Sequence, residues 1–139
     1  MSAASNYLEN KVLDHVLTST SYSAPSTRYL ALFTNTSGNA ATNLEAGTLT
    51  DEVPLAGTAY SRKEVTFAAA SGGSSATNAT VTFDAATANW GTITHVAVMD
   101  SGSVGSGNVL FWGAVTTSKT IETGDTFQVT SGNLTISLA

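Results

Sequence analysis

Cysteine is absent from this 139-residue chain, which excludes a disulfide framework and any thiolate zinc site. Charge is scarce: Asp, Glu, Lys and Arg make up 11% of residues, against about 25% in an ordinary soluble domain. Cations are rarest. Five Lys and Arg face ten Asp and Glu, the formal net charge is −5, and only Arg62 and Lys63 are adjacent. Holding a phosphate backbone needs clustered cations, so nucleic acid is not an expected partner. No apolar run approaches the roughly 18 residues that cross a bilayer, so no membrane partner is expected either. The opening residues 1–6 carry neither a basic region nor an apolar run. No export signal is read there, and synthesis in a cytoplasm is the expectation.

What fills the chain instead is Ser and Thr, with 17 and 23 copies. Threonine suits strands because its branched Cβ packs well on a pleated surface. Serine suits turns because its hydroxyl bonds nearby backbone. Apolar residues reach 42%, much of it alanine, so the core is assembled from small pieces. The length fits one domain over residues 1–139. A surface this poor in charge resists aggregation weakly, which points to cover by neighbouring subunits.

The spacing predicts one helix over residues 6–18. Asn6 and Glu9 have the N-cap and N3 spacing of a capping box. Leu8, Val12, Leu13, Val16 and Leu17 recur at helical intervals as one apolar stripe, to be buried on its own sheet, the favoured reading, or on a neighbouring subunit. Residues 27–34 are the clearest strand, apolar on both faces from Tyr29 to Phe33, so cover on both sides is expected. Residues 35–60 read as a long surface loop with a short strand near Gly47 to Leu49. Further strands are expected over residues 62–67, 79–83, 93–99, 109–116 and 126–129, and around Leu134, Ile136 and Leu138. A flexible Gly/Ser-rich hairpin tip joins 93–99 to 109–116. The predicted fold is mostly β: an antiparallel β-sandwich over residues 27–139, jelly-roll or Greek-key like, with one N-terminal α-helix. The chain has no internal repeat of 20–50 residues, so a long fibrous shaft is not expected from it.

Little in the sequence suggests catalysis, and no enzyme, cofactor or metal is expected. The two histidines are His15 and His95. A Ser-His-Asp set can be written from His95, Asp100 and one of many serines, but no Gly-x-Ser-x-Gly elbow supports it. Asp51-Glu52 is the one adjacent carboxylate pair and lies in the long loop. The segment from Asp100 lacks the repeated oxygen ligands of a calcium loop. Residues 102–107 lack the order and the lysine of a phosphate loop. Three Asn-x-Thr/Ser matches, at Asn35, Asn78 and Asn133, are what a threonine-rich chain produces freely. Trp90 and Tyr60 are candidates for stacking on a sugar, as in lectin sandwiches, while Trp112 lies in an apolar strand and reads as core.

A set of ordered segments carries a resemblance: Asn6-Tyr7-Leu8-Glu9-Asn10-Lys11, Tyr29-Leu30-Ala31-Leu32-Phe33-Thr34, Tyr60-Ser61-Arg62, residues 65–71, residues 90–95, Phe111-Trp112-Gly113 and a closing Gly132-Asn133-Leu134-Thr135-Ile136. Together they resemble a family of small bacteriophage proteins labelled tail fibre proteins, along the whole chain. The chain departs from that pattern in an expanded region around residues 39–54. The resemblance implies a structural component of a tailed-phage virion, made in the host bacterial cytoplasm. Such a component would be a non-catalytic tail-fibre-type or capsid decoration module acting by protein–protein assembly. Its partners would be other copies of itself, with three subunits as one option, and other virion proteins. The helix and the long loop are the expected contact elements, through Leu8, Val12, Val16, Leu44, Leu49, Val53 and Leu55. The alternative is a carbohydrate-binding module for host adhesion.

Overall fold

In the computed structural model, which describes residues 2–138, the longest apolar alternations become the centre of one antiparallel sheet. In chain order the elements are β1 (Ala3–Ala4), α1 (Asn6–Leu17), β2 (Tyr29–Phe33), α2 (Ala40–Ala46), β3 (Lys63–Glu64), β4 (Ser74–Ala76), β5 (Val81–Thr82), β6 (Gly91–Met99), β7 (Val109–Ile121), β8 (Gln128–Val129) and β9 (Thr135–Ser137). Five strands pair in the order β1-β7-β6-β2-β3, and two ribbons, β4-β9 and β5-β8, stand apart from that sheet. Every pairing is antiparallel. The fold is therefore mostly β and sandwich-like, with an N-terminal helix, as the composition predicts. Its second layer is two ribbons rather than one continuous sheet.

Alternation along β2 and β6 sends side chains to two cores. Leu30 and Leu32, paired with Val98 and Val96, join one cluster with Tyr60, Phe83, Trp90, Ile93 and Phe127. Ala31, Phe33, Ala97 and Met99 join a second cluster on the opposite face, closed by Leu44 of α2 and by Val109. Period-2 geometry makes this division unavoidable once both faces are covered. Both faces of residues 29–33 are indeed covered. Near the start of β7 the register slips, with Met99 opposite Val109 and Val98 opposite Phe111. Leu110 is left unpaired there and turns into the first cluster.

The helix starts one residue earlier than the capping-box reading places it. Ser5 is the N-cap and accepts from the Leu8 amide at 3.3 Å. Ser5 is also buried, donates its hydroxyl to the Val109 carbonyl, and takes the Leu110 carbonyl on its own amide at 3.0 Å. Ser5 thus caps α1 with one bond and fixes its root to β7 with two more. The other end is closed by Thr18, whose amide and hydroxyl both reach the Asp14 carbonyl, at 3.0 and 2.6 Å.

Residues 35–60 are the largest departure from the sequence reading. The segment is folded, not a loose surface loop. It contains α2, which buries Ala40 and Leu44 one turn apart, and Asn35 caps it by accepting from the Ala40 amide at 2.9 Å. Gly47, read as the start of a short strand, is the left-handed C-cap of α2 at φ 80°, a conformation glycine adopts without a Cβ penalty. The chain then returns to the sheet: Thr34 bonds Asp51 and Val53 bonds Leu32, backbone to backbone, at 2.9 and 3.1 Å. The Trp112 indole donates to Glu45 at 2.8 Å and holds α2 against β7.

Candidate functional site

A helix whose apolar stripe packed on its own sheet would bury most of that stripe. In α1 the body buries Leu8 and half-buries Tyr7, and takes none of the later stripe residues into its core. Residues 9–20 are all exposed, so about 12 Å of helix from Glu9 to Leu17 adds no side chain to the core. On it Val12 is 41%, Leu13 54%, Val16 70% and Leu17 73% exposed. The expectation that the stripe packs within the chain is corrected here. Its root is fixed by Ser5 and by Ala4 opposite Phe111, and the core cluster takes Leu8 and part of Tyr7 but none of Val12, Leu13, Val16 and Leu17.

The other expected contact residues divide. Leu8, Leu44 and Val53 are core residues and face no partner. Leu49 is half-buried against the second cluster. Leu55 is exposed, with Val12 and Val16. Leu13, Leu17 and Leu138 are large exposed apolar side chains that the sequence-based list of contacts omits. For Leu13 and Leu17 the signal was present, because both lie on the same helical stripe.

Near the base of the helix is an apolar groove of about 310 Å³, lined by Arg28, Phe67, Leu110, Phe111, Ile136 and Leu138 among others. Phe67 and Ile136 are half-buried and Leu138 is open to solvent. Arg28 forms no ion pair among the described residues, where the pairs are Arg62–Glu52 and Lys63–Asp84.

The sugar-stacking expectation is overturned by burial. Tyr60 is fully buried and Trp90 nearly so. Their rings meet edge to face at 5.5 Å, and Trp90 donates its indole hydrogen to the Thr58 carbonyl at 2.8 Å. Neither ring has a free face for a ligand.

Below these rings lies a polar network that the sequence reading missed. Glu52 and Arg62 form a two-point ion pair, Nε to Oε1 and Nη2 to Oε2, both at 2.7 Å, with both side chains inaccessible to solvent. The Tyr60 hydroxyl donates to Glu52 at 3.0 Å and accepts from the Leu32 amide at 3.0 Å. Burial, and then the Glu52 charge, push the Tyr60 phenol far above its ordinary range. Arg62 also donates from Nη1 to the carbonyls of Ser101 and Ser106, each at 2.7 Å, and the Gly105 amide donates to Glu52 at 2.8 Å. The β6–β7 connection, expected to be a flexible tip, is therefore tied down from below. Gly107 at φ 83° completes it, because a Cβ there would sit 2.5 Å from Ser101 Cβ.

The groups considered for catalysis are not brought together. Asp100 closes the same loop, accepting from the Asn108 amide and side chain at 2.7 and 2.8 Å. His95 is five residues away along β6, about 17 Å at strand rise. His95 bonds Thr94 through Nδ1 at 2.8 Å and lies beside the Trp112 ring. Asp51 is buried, and burial alone would raise its pKa. Hydrogen bonds from Ser37, Asn43 and Thr36 outweigh that and hold the carboxyl below its usual range. No cluster of three or more His, Asp or Glu with metal-binding geometry occurs among the described residues.

Burial lowers the His95 pKa, and Asp51 only partly offsets this. The unfolded histidine takes up a proton below about pH 6.5, while the folded one resists it. The folded state binds fewer protons in that window, so stability rises with pH through it and is lost as pH falls from about 7 toward 5. Asp51 adds a second loss at lower pH, because its contribution is present above the unfolded carboxyl pKa and disappears as pH falls through the folded one. Urea midpoints at pH 7.5 and 5.0 should therefore differ in the wild type, and His95→Gln should shrink the difference. An unchanged difference in that variant would remove His95 as the cause.

Among known proteins, a family model described as podophage GP4 fiber I protein gp80 matches residues 3–137. No curated protein matches the chain.

Proposed function

Because the chain belongs to the podophage GP4 fibre I protein family, and so has a phage structural role in association with other virion components, we propose that it works as a non-catalytic assembly module of the fibre. The observation that carries this reading is α1: a helix capped by Ser5 and rooted on β7 by two bonds from it, yet leaving Val12, Leu13, Val16 and Leu17 exposed. Contiguous exposed apolar surface on an otherwise well-covered fold marks an interaction site. The rest of the body supports a scaffold role. Its buried side-chain polar atoms are all hydrogen-bonded among the described residues, and its buried ion pair, Arg62–Glu52, fastens the β6–β7 connection. A fibre position also suits the projecting helix better than a decorating role on the shell, since one helix gives a narrow contact rather than a broad footing. Production in the host cytoplasm belongs to the same reading.

The test uses Leu13→Asp/Leu17→Asp in the phage. Both side chains are exposed in the isolated subunit, so its own stability should change by no more than about 0.5 kcal/mol. Burying two leucines at an interface is worth about 1.5–3 kcal/mol each, so the variant should bind its partner at least about a hundredfold more weakly. The protein should then be missing from purified particles while remaining folded and abundant in the lysate. Normal incorporation would overturn the assembly reading. The copy number per wild-type particle checks its position: hundreds of copies would place the protein on the capsid.

A further inference from the structure

We infer that the exposed face of α1 docks into the apolar groove of a second copy of the same chain, with Glu9 of one subunit meeting Arg28 of the other. The inference rests on the assembly reading above and names its partner.

The first observation is that the helix does not fill its own subunit's groove. Residues 9–20 are all exposed, and the groove is lined by Arg28, Phe67, Leu110, Phe111, Ile136 and Leu138, among others, with no residue of α1. One molecule thus displays an unpartnered apolar ridge and an unpartnered apolar recess. When a surface patch is complementary to a recess elsewhere on the same molecule, the contact joins subunits head to tail.

Charge selects the groove over the rival arrangement, in which the helices bundle with one another. At 100° per residue Glu9 falls on the same face as Val16 and Leu13, inside the apolar stripe. A parallel bundle of this helix would bring the Glu9 carboxylates together in a chain whose net charge is already −5, and like charges at close quarters repel. The groove offers the opposite sign. Arg28 lines it and has no carboxylate partner among the described residues. The remaining charges of the helix, Lys11, Asp14 and His15, lie off the stripe. Lys11 is placed over the Tyr7 ring and His15 accepts the Tyr22 amide, so both are already engaged within the subunit.

Size then argues that every subunit both gives and receives. The docking face of α1 is Glu9, Val12, Leu13, Val16 and Leu17, far fewer than the roughly 20–30 residues a stable partner contributes to a standard interface. In a head-to-tail ring each contact keeps that small size, but every subunit is held by two of them, through its own helix on one side and through its groove on the other. The repeated exchange produces a closed ring when the rotation between copies closes.

The absence of cysteine makes the contact directly testable. Val16→Cys copies are mixed with Leu138→Cys copies, oxidised, and read as disulfide-linked species by mass spectrometry. Both positions are exposed in the subunit, so folding is preserved, and a disulfide forms only where Cβ atoms come within about 4.5 Å. The expected product is the mixed Val16–Leu138 adduct, several-fold in excess of Val16–Val16 and of a control pairing with the exposed Thr116→Cys. In parallel, Glu9→Arg alone should weaken self-association in sedimentation at least about fivefold, and Glu9→Arg with Arg28→Glu should restore it. Predominant Val16–Val16 adducts would overturn the inference in favour of a helix bundle. A monomer that gives no adduct, yet still needs Leu13 and Leu17 to enter particles, would overturn it in favour of another virion protein, and would leave the assembly reading standing. Incorporation without Leu13 and Leu17 would remove that reading as well.

Discussion

Arg62→Met should lower the unfolding free energy by about 3–5 kcal/mol, the cost of breaking a buried ion pair from one side. Arg62 and Glu52 share two hydrogen bonds at 2.7 Å with both side chains out of solvent. Removing the guanidinium leaves a carboxylate inside the fold with only Tyr60 and the Gly105 amide as donors. It also releases the carbonyls of Ser101 and Ser106, so the β6–β7 connection loses its fastening. A domain of this size has about 5–15 kcal/mol in hand, and the single change consumes a large part of it. Glu52→Gln combined with Arg62→Met should cost less than Arg62→Met alone, because no lone charge remains and a glutamine oxygen still accepts from Tyr60. Urea unfolding of the three proteins measures this, with an unchanged denaturant slope confirming that stability moved and not the unfolded state. A loss under about 1 kcal/mol for Arg62→Met would mean that the pair is not what holds this region.

The same pair shows where sequence reading stops. Strands β2, β6 and β7 are legible because long alternations leave few options: Tyr29–Phe33 is apolar on both sides and is covered on both sides. The helix is legible to within a residue, since Leu8, Val12, Leu13, Val16 and Leu17 fit no other period. What that stripe packs against is not legible, because an apolar helical face reads identically whether its cover is the same chain or another. Residues 35–60 failed for a different reason. Helix α2 has seven residues, too few for periodicity to rise above the Thr, Asn and Gly around it. Its ends are set by Asn35 and Gly47, not by its own pattern. Glu52 and Arg62 are ten positions apart, and nothing local says they meet. A usable hint was the shortage of charge itself: in a chain with so few charged residues, Arg62 beside Tyr60 and Glu52 beside Val53 put ionic groups next to core-forming side chains. Trp90 and Tyr60 were misplaced because a position in a turn or loop says nothing about depth. Tyr60, Phe83, Trp90 and Phe127 come from four separate segments, and only the closed fold brings them together.

Phe83→Ala should be of comparable size, about 3–5 kcal/mol, through a cavity at the centre of that aromatic cluster. The Phe83 ring stacks on Tyr60 at 6.1 Å with planes 8° apart and meets Trp90 and Phe127 edge on at 6.4 and 5.9 Å. Its neighbours are themselves held, Tyr60 by Leu32 and Glu52 and Trp90 by Thr58, so they have little freedom to collapse into the space. The ribbon β5–β8 pairs only Val81 with Val129 and Thr82 with Gln128, too short a ladder to stand alone, and Phe83, with Val81 and Phe127, fastens it to the core cluster. Hydrogen exchange in the variant should therefore rise first at the Phe83 amide, which is bonded to the Phe127 carbonyl, and reach β6 only near global unfolding. Uniform acceleration across both layers would mean that the ribbon is not a separable unit. The comparison with the helix variant completes the argument. Phe83→Ala damages the body and leaves the α1 face chemically intact, so below its own melting temperature it should still enter particles. Leu13→Asp/Leu17→Asp leaves the body intact and should not. If both variants enter particles, or neither does when folded, then stability and assembly are not carried by separate parts of this chain.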